Sequence, residues 1–293
     1  MMNDLLLNKS TQAQARALIN NPSHALLVSG GVGSGKASVA RLIASELLGL
    51  RDAKMLEKYP YFTHLKRPDG KQDIPIDSVR QLNKVLKLKA PGSNEIRRIV
   101  IIEDAQDLNE EASNALLKML EEPPADCVFI LTAISAHALL PTISSRTQQL
   151  QLRPLSLDQS LKFFSPKYSE LDIESAWRLS QGAAGLMLAI LKDDQQHPLK
   201  IAVYEAKSYL RKDTYERLLL SDALSRDKKQ LALLLEALTK LLAALQSSVA
   251  VQGSDSQTRR ILASRRLILR LQEALEANVS PKLISLKLSL NLL

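Results

Sequence analysis

Cysteine is nearly absent. Cys127 is the only one in 293 residues, which excludes an internal disulfide framework and any Cys-based zinc site built within one chain, and matches a reducing compartment. Long apolar runs are missing too: no stretch approaches the ~18 residues that a membrane-spanning helix needs. The opening segment, MMNDLLLNKSTQAQ, has no basic stretch ahead of an apolar one, so no secretory leader is expected and the expected location is the cytoplasm. Aromatic residues make up only 4%, too few for base stacking to be the main means of holding nucleic acid. Glycine is scarce after residue 100: seven of the ten precede it, and four fall within 30–35. That clustering is where the chemistry begins.

What is present is ordinary for a globular chain, 45% hydrophobic and 24% charged, with length for two domains or three small ones. The net charge is +8, and it is uneven. Residues 1–150 carry 18 basic and 16 acidic side chains, and residues 151–293 carry 21 and 15. A mildly basic solvated surface accounts for that balance without a nucleic-acid ligand. Ala25–Ser29 (ALLVS), Ile99–Ile102 (IVII) and Val128–Thr132 (VFILT) read as buried strands, and Gln148–Leu152 (QQLQL) as a fourth. Helical spacing runs through Val39–Leu48, through Asp77–Leu88 with Asp77 or Ser78 as N-cap, and through Asn109–Glu121, which stops at Pro123 and Pro124. Residues 51–74 read as a short linker containing lysine. After Pro154 no strand pattern remains: Leu171–Lys192 is helical with breaks at Gly182 and Gly185, apolar residues recur at three and four from Ile201 onward, and Val251–Thr258 reads as a loop. The pattern is an α/β domain followed by an all-helical half.

Gly30-Gly31-Val32-Gly33-Ser34-Gly35-Lys36-Ala37 fits G-x-x-x-x-G-K at every defined position but the last. Such a loop turns backbone N–H groups inward around a phosphate. The following helix aims its positive end at the same anion, and the lysine reaches the outer phosphate oxygens. The final position calls for a Ser or Thr hydroxyl on Mg²⁺. Ala37 has none, and Ser38 sits about 100° further round the helix, so the pattern favours nucleotide binding over well-placed Mg²⁺. Glu103 and Asp104 follow the second strand directly. At the carboxyl end of a parallel strand, Glu103 is the candidate Mg²⁺ carboxylate and Asp104 the candidate water-orienting base. A solvated turn is the plain alternative.

RIVIIEDAQDLNEEASNALLKMLEEPP (Arg98–Pro124), with NALLKMLEEPP at its end, resembles the Walker B region of bacterial clamp-loader subunits of the AAA+ family. Val128–Leu155 resembles their sensor-1 strand and Ser-Arg-Cys segment, here Ser145-Arg146-Thr147, and His24–Ser38 matches their strand and P-loop. Arg178–Leu191 and Asn278–Leu293 resemble the lid and last collar helix of the delta-prime group of DNA polymerase III. The resemblance implies an AAA+ P-loop α/β domain with a parallel sheet over 1–154, a helical lid over 155–200 and an all-α collar for oligomerisation over 201–293. It implies ATP bound at residues 30–38 and Arg146 offered as an arginine finger to a neighbour's site. Partners would be gamma/tau-like motor and delta-like subunits in a hetero-oligomeric ring, with the sliding clamp and primed DNA reached through that assembly, and no membrane.

The chain also departs from that family. The motor subunits have Asp-Glu where this chain has Glu103-Asp104, leaving the base one methylene short, and a ~1 Å misplacement can cost about 10²-fold in rate. The sensor-1 position falls at Ala133 or Ile134, flanked by Thr132 and Ser135. Met187 and Leu188 stand where a sensor-2 arginine would be. The four-cysteine zinc module that many relatives carry between the Walker motifs is missing, so no zinc is expected. The expectation is a delta-prime-type subunit that hydrolyses ATP poorly and supplies its finger in trans. The alternatives are an active gamma/tau-type motor ATPase, or a homo-oligomeric AAA+ ATPase of recombination or remodelling. His24, His64, His137, His197 and Cys127 show no ligand spacing, Trp177 reads as core, and the arginines at 259, 260, 265 and 266 form a basic stripe for which solvent, DNA and a subunit all compete.

Overall fold

The computed structural model describes residues 7–68, 71, 73–88, 90–194, 196–252 and 255–292. The chain divides into two units, Met1–Leu155 and Ser156–Leu293. In the first, α1 (Lys9–Asn20), β1 (Ala25–Ser29), α2 (Lys36–Leu47), β2 (Phe62–Leu65), α3 (Ile76–Leu86), β3 (Arg98–Ile102), α4 (Glu110–Glu121), β4 (Cys127–Ala133), α5 (Pro141–Ser144) and β5 (Gln148–Gln151) follow in order. The five strands form one sheet, β2-β3-β4-β1-β5, with every pair parallel. The parallel sheet that the resemblance implies is therefore present.

Why three strands are plain in the sequence follows from burial. β1, β3 and β4 are buried at every position, because helices cover both faces, and such strands read as unbroken apolar runs. Successive residues still divide between faces. Leu27, Val100, Ile102, Phe129 and Leu131 pack with Leu82 of α3 and Leu116 and Leu120 of α4. Leu26, Val28, Ile99, Ile101, Val128 and Ile130 pack with Leu18 of α1 and Val39 and Ile43 of α2.

Three readings change. The linker over 51–74 contains a 3-10 turn at Ala53–Lys58 and the edge strand β2, paired parallel to β3. Neither Asp77 nor Ser78 caps α3: Pro75 is the N-cap and Asp77 lies in the first turn. The start is set one residue upstream because Ile74, fully buried, bridges to Leu108 and donates its N–H to the Asp107 carbonyl at 2.7 Å. The opening segment contains α1, whose Thr11 hydroxyl and Gln14 amide donate to the Gln151 and Gln149 carbonyls at 3.2 and 3.1 Å, satisfying the outer edge of β5.

The second unit holds α6 (Leu157–Phe164), α7 (Glu170–Ser180), α8 (Ala184–Leu191), α9 (Pro198–Arg211), α10 (Thr214–Arg226), α11 (Lys228–Gln252), α12 (Asp255–Glu276) and α13 (Pro281–Asn291), with no strand among its described residues. Gln181 and Gly182, at φ 54° and 75°, break α7 from α8. Gly185 lies inside α8 and interrupts nothing. Of the loop expected at 251–258, Val251 and Gln252 belong to α11, Asp255–Thr258 to α12, and 253–254 lie outside the described residues. α10 and α13 run antiparallel through small contacts: Ser285 Oγ donates to the Ser221 carbonyl at 2.9 Å and Ser289 Oγ to that of Arg217 at 3.2 Å. The buried Arg217 donates to the Tyr209, Leu210 and Leu292 carbonyls at 3.1, 3.1 and 2.6 Å. One guanidinium thus satisfies carbonyls at the ends of both α9 and α13.

Candidate functional site

The loop between β1 and α2 is shaped by its glycines. Gly33 and Gly35 sit at φ 80° and 90°, and Gly35 is the N-cap of α2, a region that side chains with a Cβ avoid. A Cβ on Gly30 would lie 2.8 Å from Ser34 Oγ and 3.0 Å from Leu152 Cβ. Gly30 N–H donates to the Ala133 carbonyl at 3.1 Å, which ties the loop's root to the end of β4. Lys36, the first residue of α2, donates Nζ to the Gly30 and Gly31 carbonyls at 2.9 and 3.4 Å. The first backbone bond of α2 runs from Val39 to Gly35, so the N–H groups ahead of it are directed out of the helix, toward the loop.

This loop fits a phosphate. Ser34 Oγ is buried with no hydrogen-bond partner, a donor that an anion held in the loop would satisfy. Val32 is half-buried at the loop's tip, Ala37 half-buried in the first turn of α2, and Ser38 faces solvent.

The same residues do not make a magnesium site. Ala37 offers no hydroxyl. Glu103 leaves the end of β3 and turns toward the sheet edge: its N–H donates to the Leu65 carbonyl at 2.8 Å and its Oε2 meets His64 Nε2 at 2.8 Å. Arg41 of α2 reaches His64 Nδ1 at 3.3 Å and also binds Glu57. A guanidinium can only donate, so Nδ1 accepts and Nε2 carries the proton given to Glu103. This hydrogen bond, with the charge of Arg41, holds the Glu103 carboxyl below the ordinary range despite partial burial. Among the described residues no three His, Cys, Asp or Glu side chains come together to hold a metal ion.

Asp104 is the most constrained residue of the group. It is left-handed at φ 49°, ψ 58°, a conformation of order 1–3 kcal/mol for a non-glycine and one that clusters at working sites. Its N–H donates to Thr132 Oγ1 at 2.9 Å. The polar side chain near the end of β4 is therefore engaged with Asp104, Ala133 is buried, and Ile134 is exposed. β4 separates β1 from β3, so the phosphate loop and the acidic pair leave the same sheet edge about 10 Å apart.

Arg146 is elsewhere. It precedes β5 and pairs with Glu121, at the end of α4 just before β4, at 2.8 Å. Its Nη1 donates to the Thr142 carbonyl at 3.1 Å. Both contacts lie where strands begin, and the phosphate loop lies where they end. A strand of four to five residues keeps the two edges roughly 13–16 Å apart. The structure thus brings residues 30–38 together with the acidic pair at one edge and leaves Arg146, exposed, at the other. His64 and Arg41 were not legible as site residues, because their meeting with Glu103 depends on β2.

Comparison with known proteins covers the same region. A family model described as DNA polymerase III, delta subunit, matches residues 8–156. The DNA polymerase III subunit delta' of Pseudomonas aeruginosa is 36% identical over 141 residues, 43% of this chain and 42% of that protein. The subunit delta' of Escherichia coli is 33% identical over 138 residues, 46% and 41% respectively. The subunit tau of Salmonella typhimurium is 29% identical over 276 residues, 79% of this chain and 42% of that protein. Each alignment spans about two fifths of the relative's own length. A Thermotoga maritima structure of a DNA polymerase III gamma subunit-related protein shares the fold, with a TM-score of 0.55 at 19% identity over 95% of this chain and 97% of that one.

Proposed function

The chain belongs to the DNA polymerase III delta-subunit family, on its delta' side, and from that premise we propose that it serves as a clamp-loader subunit of the replicative polymerase. Its first unit binds ATP through residues 30–38, with Lys36 on the outer phosphates and Ser34 inside the loop. It hydrolyses that ATP poorly, and it offers Arg146 to the γ-phosphate in the adjoining subunit. Residues 155–200 act as the lid and residues 201–293 as the collar. Gamma/tau-like motor subunits and a delta-like subunit are the neighbours in the ring, and the sliding clamp and primed DNA are what the ring acts on.

The observation that carries the finger role is the position of Arg146 at the edge opposite its own phosphate loop. It cannot serve its own nucleotide, and a guanidinium so exposed is free to swing from Glu121 to an anion on another chain. Arginine fingers supplied in this way are worth about 10³–10⁵ in rate. Weak hydrolysis in cis has separate support: Ala37 lacks the hydroxyl, Glu103 is held by His64, and Asp104 is one methylene shorter than the motor subunits' glutamate.

ATP turnover by the purified chain, alone and then with its motor and delta subunits, tests the reading. Turnover should be absent alone and robust in the assembly, and Arg146→Ala should lower the DNA-stimulated rate at least 10³-fold at the affected site with assembly intact. An unchanged rate removes the finger role. The second reading is an active motor ATPase, favoured by the match to tau across 79% of the chain. Turnover by the chain alone that disappears in Lys36→Ala would establish it instead.

A further inference from the structure

The groups that converge on the phosphate loop are donors. Ser34 Oγ, buried and without a hydrogen-bond partner, lies so close to Gly30 that a Cβ there would come within 2.8 Å of it. Lys36 Nζ donates to the Gly30 carbonyl at 2.9 Å. Hydroxyl and ammonium thus meet at one glycine, ahead of the positive end of α2. Such groups bind phosphate oxygens directly.

A divalent cation needs the opposite, oxygen acceptors, and Mg²⁺ takes about six of them in a nearly ideal octahedron. Two that a phosphate loop ordinarily supplies or faces are withheld. Ala37 puts a methyl where a hydroxyl would stand, and the hydroxyl of Ser38 faces solvent. Glu103 is fastened at the sheet edge: its N–H donates to the Leu65 carbonyl at 2.8 Å and its carboxylate accepts from His64 Nε2 at 2.8 Å. His64 is fixed in turn, because Arg41 of α2 donates to its Nδ1 at 3.3 Å and also pairs with Glu57. Freeing Glu103 therefore means breaking a chain of contacts from β2 through α2 to the 3-10 turn at Ala53–Lys58. Asp104 remains, on a left-handed backbone whose N–H donates to Thr132. One carboxylate leaves nearly all of an ion's positions to water and phosphate.

We propose that residues 30–38 hold the phosphates of a nucleoside di- or triphosphate without the help of a divalent ion, because Ala37 and the grip of His64 on Glu103 deny the ion its protein ligands. This form of the ligand presupposes that the loop is a nucleotide site, as proposed above. Mg²⁺ that arrives on a nucleotide keeps its water here and gains little from the protein. Its charge meanwhile offsets part of the attraction of the phosphates to Lys36 and to the start of α2. Affinity is therefore no higher with the ion than without it, the reverse of a site where hydroxyl and carboxylate hold the metal. His64 acts through Glu103 and touches no phosphate, so it is a positioning residue.

Isothermal titration of ATP and of ADP into the full chain, in EDTA and then in excess Mg²⁺ at matched ionic strength, reads this site. Each nucleotide should bind in EDTA, and Mg²⁺ should tighten binding by no more than about threefold. Lys36→Ala should abolish binding in both buffers. Ala37→Ser with His64→Ala supplies the hydroxyl and releases Glu103. In that double variant Mg²⁺ should tighten ATP binding at least about tenfold, the scale on which outer contacts of a metal site act, while affinity in EDTA stays within about twofold of the wild type. A wild-type chain that binds only with Mg²⁺, or more than about threefold tighter with it, overturns the proposal and leaves the nucleotide site standing. A double variant still indifferent to Mg²⁺ overturns the part given to Ala37 and His64. Absence of binding by either nucleotide in either buffer removes the nucleotide site itself and the proposal with it.

Discussion

Single residues here divide into those that fix the fold and those that shape the site. Asp126 fixes the fold. It is 5% exposed and binds both Arg97 and Arg98 at the start of β3, while Arg98 also donates to the Leu86 and Leu88 carbonyls at the end of α3. Burial alone would raise its pKa; the two guanidiniums outweigh burial and hold the carboxyl below the usual range. A depressed folded-state value contributes stability above the unfolded value of about 3.9 and loses it as pH falls through the folded value. Asp126→Asn should therefore cost about 3 kcal/mol at neutral pH by leaving the buried Arg98 and the half-buried Arg97 without their carboxylate. The gap from wild type should shrink as pH falls below about 4. Urea midpoints between pH 2 and 7 read this, and a constant gap would refute the assignment. The loop's glycines give a sharper pair. Gly30→Ala drives its Cβ against Ser34 and Leu152, whereas a Cβ on Gly31 meets nothing within 4 Å and no positive φ opposes it. Gly30→Ala should cost about 1–3 kcal/mol and Gly31→Ala less than about 0.5. Equal melting temperatures for the two variants would mean that the loop is looser than its contacts imply.

Elements repeat the lesson with larger pieces. α10 begins with a reciprocal cap: Asp213 Oδ1 accepts from Glu216 N at 2.8 Å and Glu216 Oε2 from Asp213 N at 3.0 Å. Asp213→Ala should lower stability by about 1 kcal/mol, visible as a lower urea midpoint with an unchanged slope. No change would mean that Arg217 alone secures that end. What could be read in advance follows the strength of each element's own pattern. β1, β3 and β4 stood out because burial on both faces demands continuous apolar residues. β2 (FTHL) is four residues, half-exposed throughout and at a sheet edge, so it carries no such demand. α1 (KSTQAQARALIN) buries only Thr11, Ala15 and Leu18, too narrow a stripe to announce a helix. The phosphate loop was legible because its chemistry is written in consecutive residues. The grip of His64 on Glu103 was not, because the two are 39 positions apart and meet only through a strand that has no sequence signal of its own.

At the scale of the whole chain, the helical half shows large apolar side chains to solvent on two of its helices. α10 presents Tyr215 and Leu219, 69% and 64% exposed, one turn apart, and α13 presents Leu283 and Leu290, 62% and 58% exposed, two turns apart. The serine contacts join the two helices through Arg217 and Ser221 on α10 and Ser285 and Ser289 on α13; at 3.6 residues per turn Tyr215 and Leu219 lie on the far side of α10 from that seam, and Leu283 and Leu290 on the far side of α13. Each helix thus shows its own exposed apolar pair beside charged residues, Asp222 and Arg226 on α10 and Lys282 and Lys287 on α13, the make-up of a protein contact. Each such side chain gains about 1.5–3 kcal/mol on full burial, so losing two exceeds the ~1.4 kcal/mol of a tenfold change in affinity. In the clamp-loader reading these two faces belong to the collar and would meet neighbouring subunits. Leu219→Asp with Leu290→Asp should then weaken assembly with the motor subunits at least tenfold, measured by analytical ultracentrifugation of the mixture. The isolated chain should keep its stability to within about 0.5 kcal/mol, since both positions already face water. Loss of stability in the isolated chain would show that the leucines belong to its own core. Assembly of undiminished strength would move the subunit contact off α10 and α13 altogether.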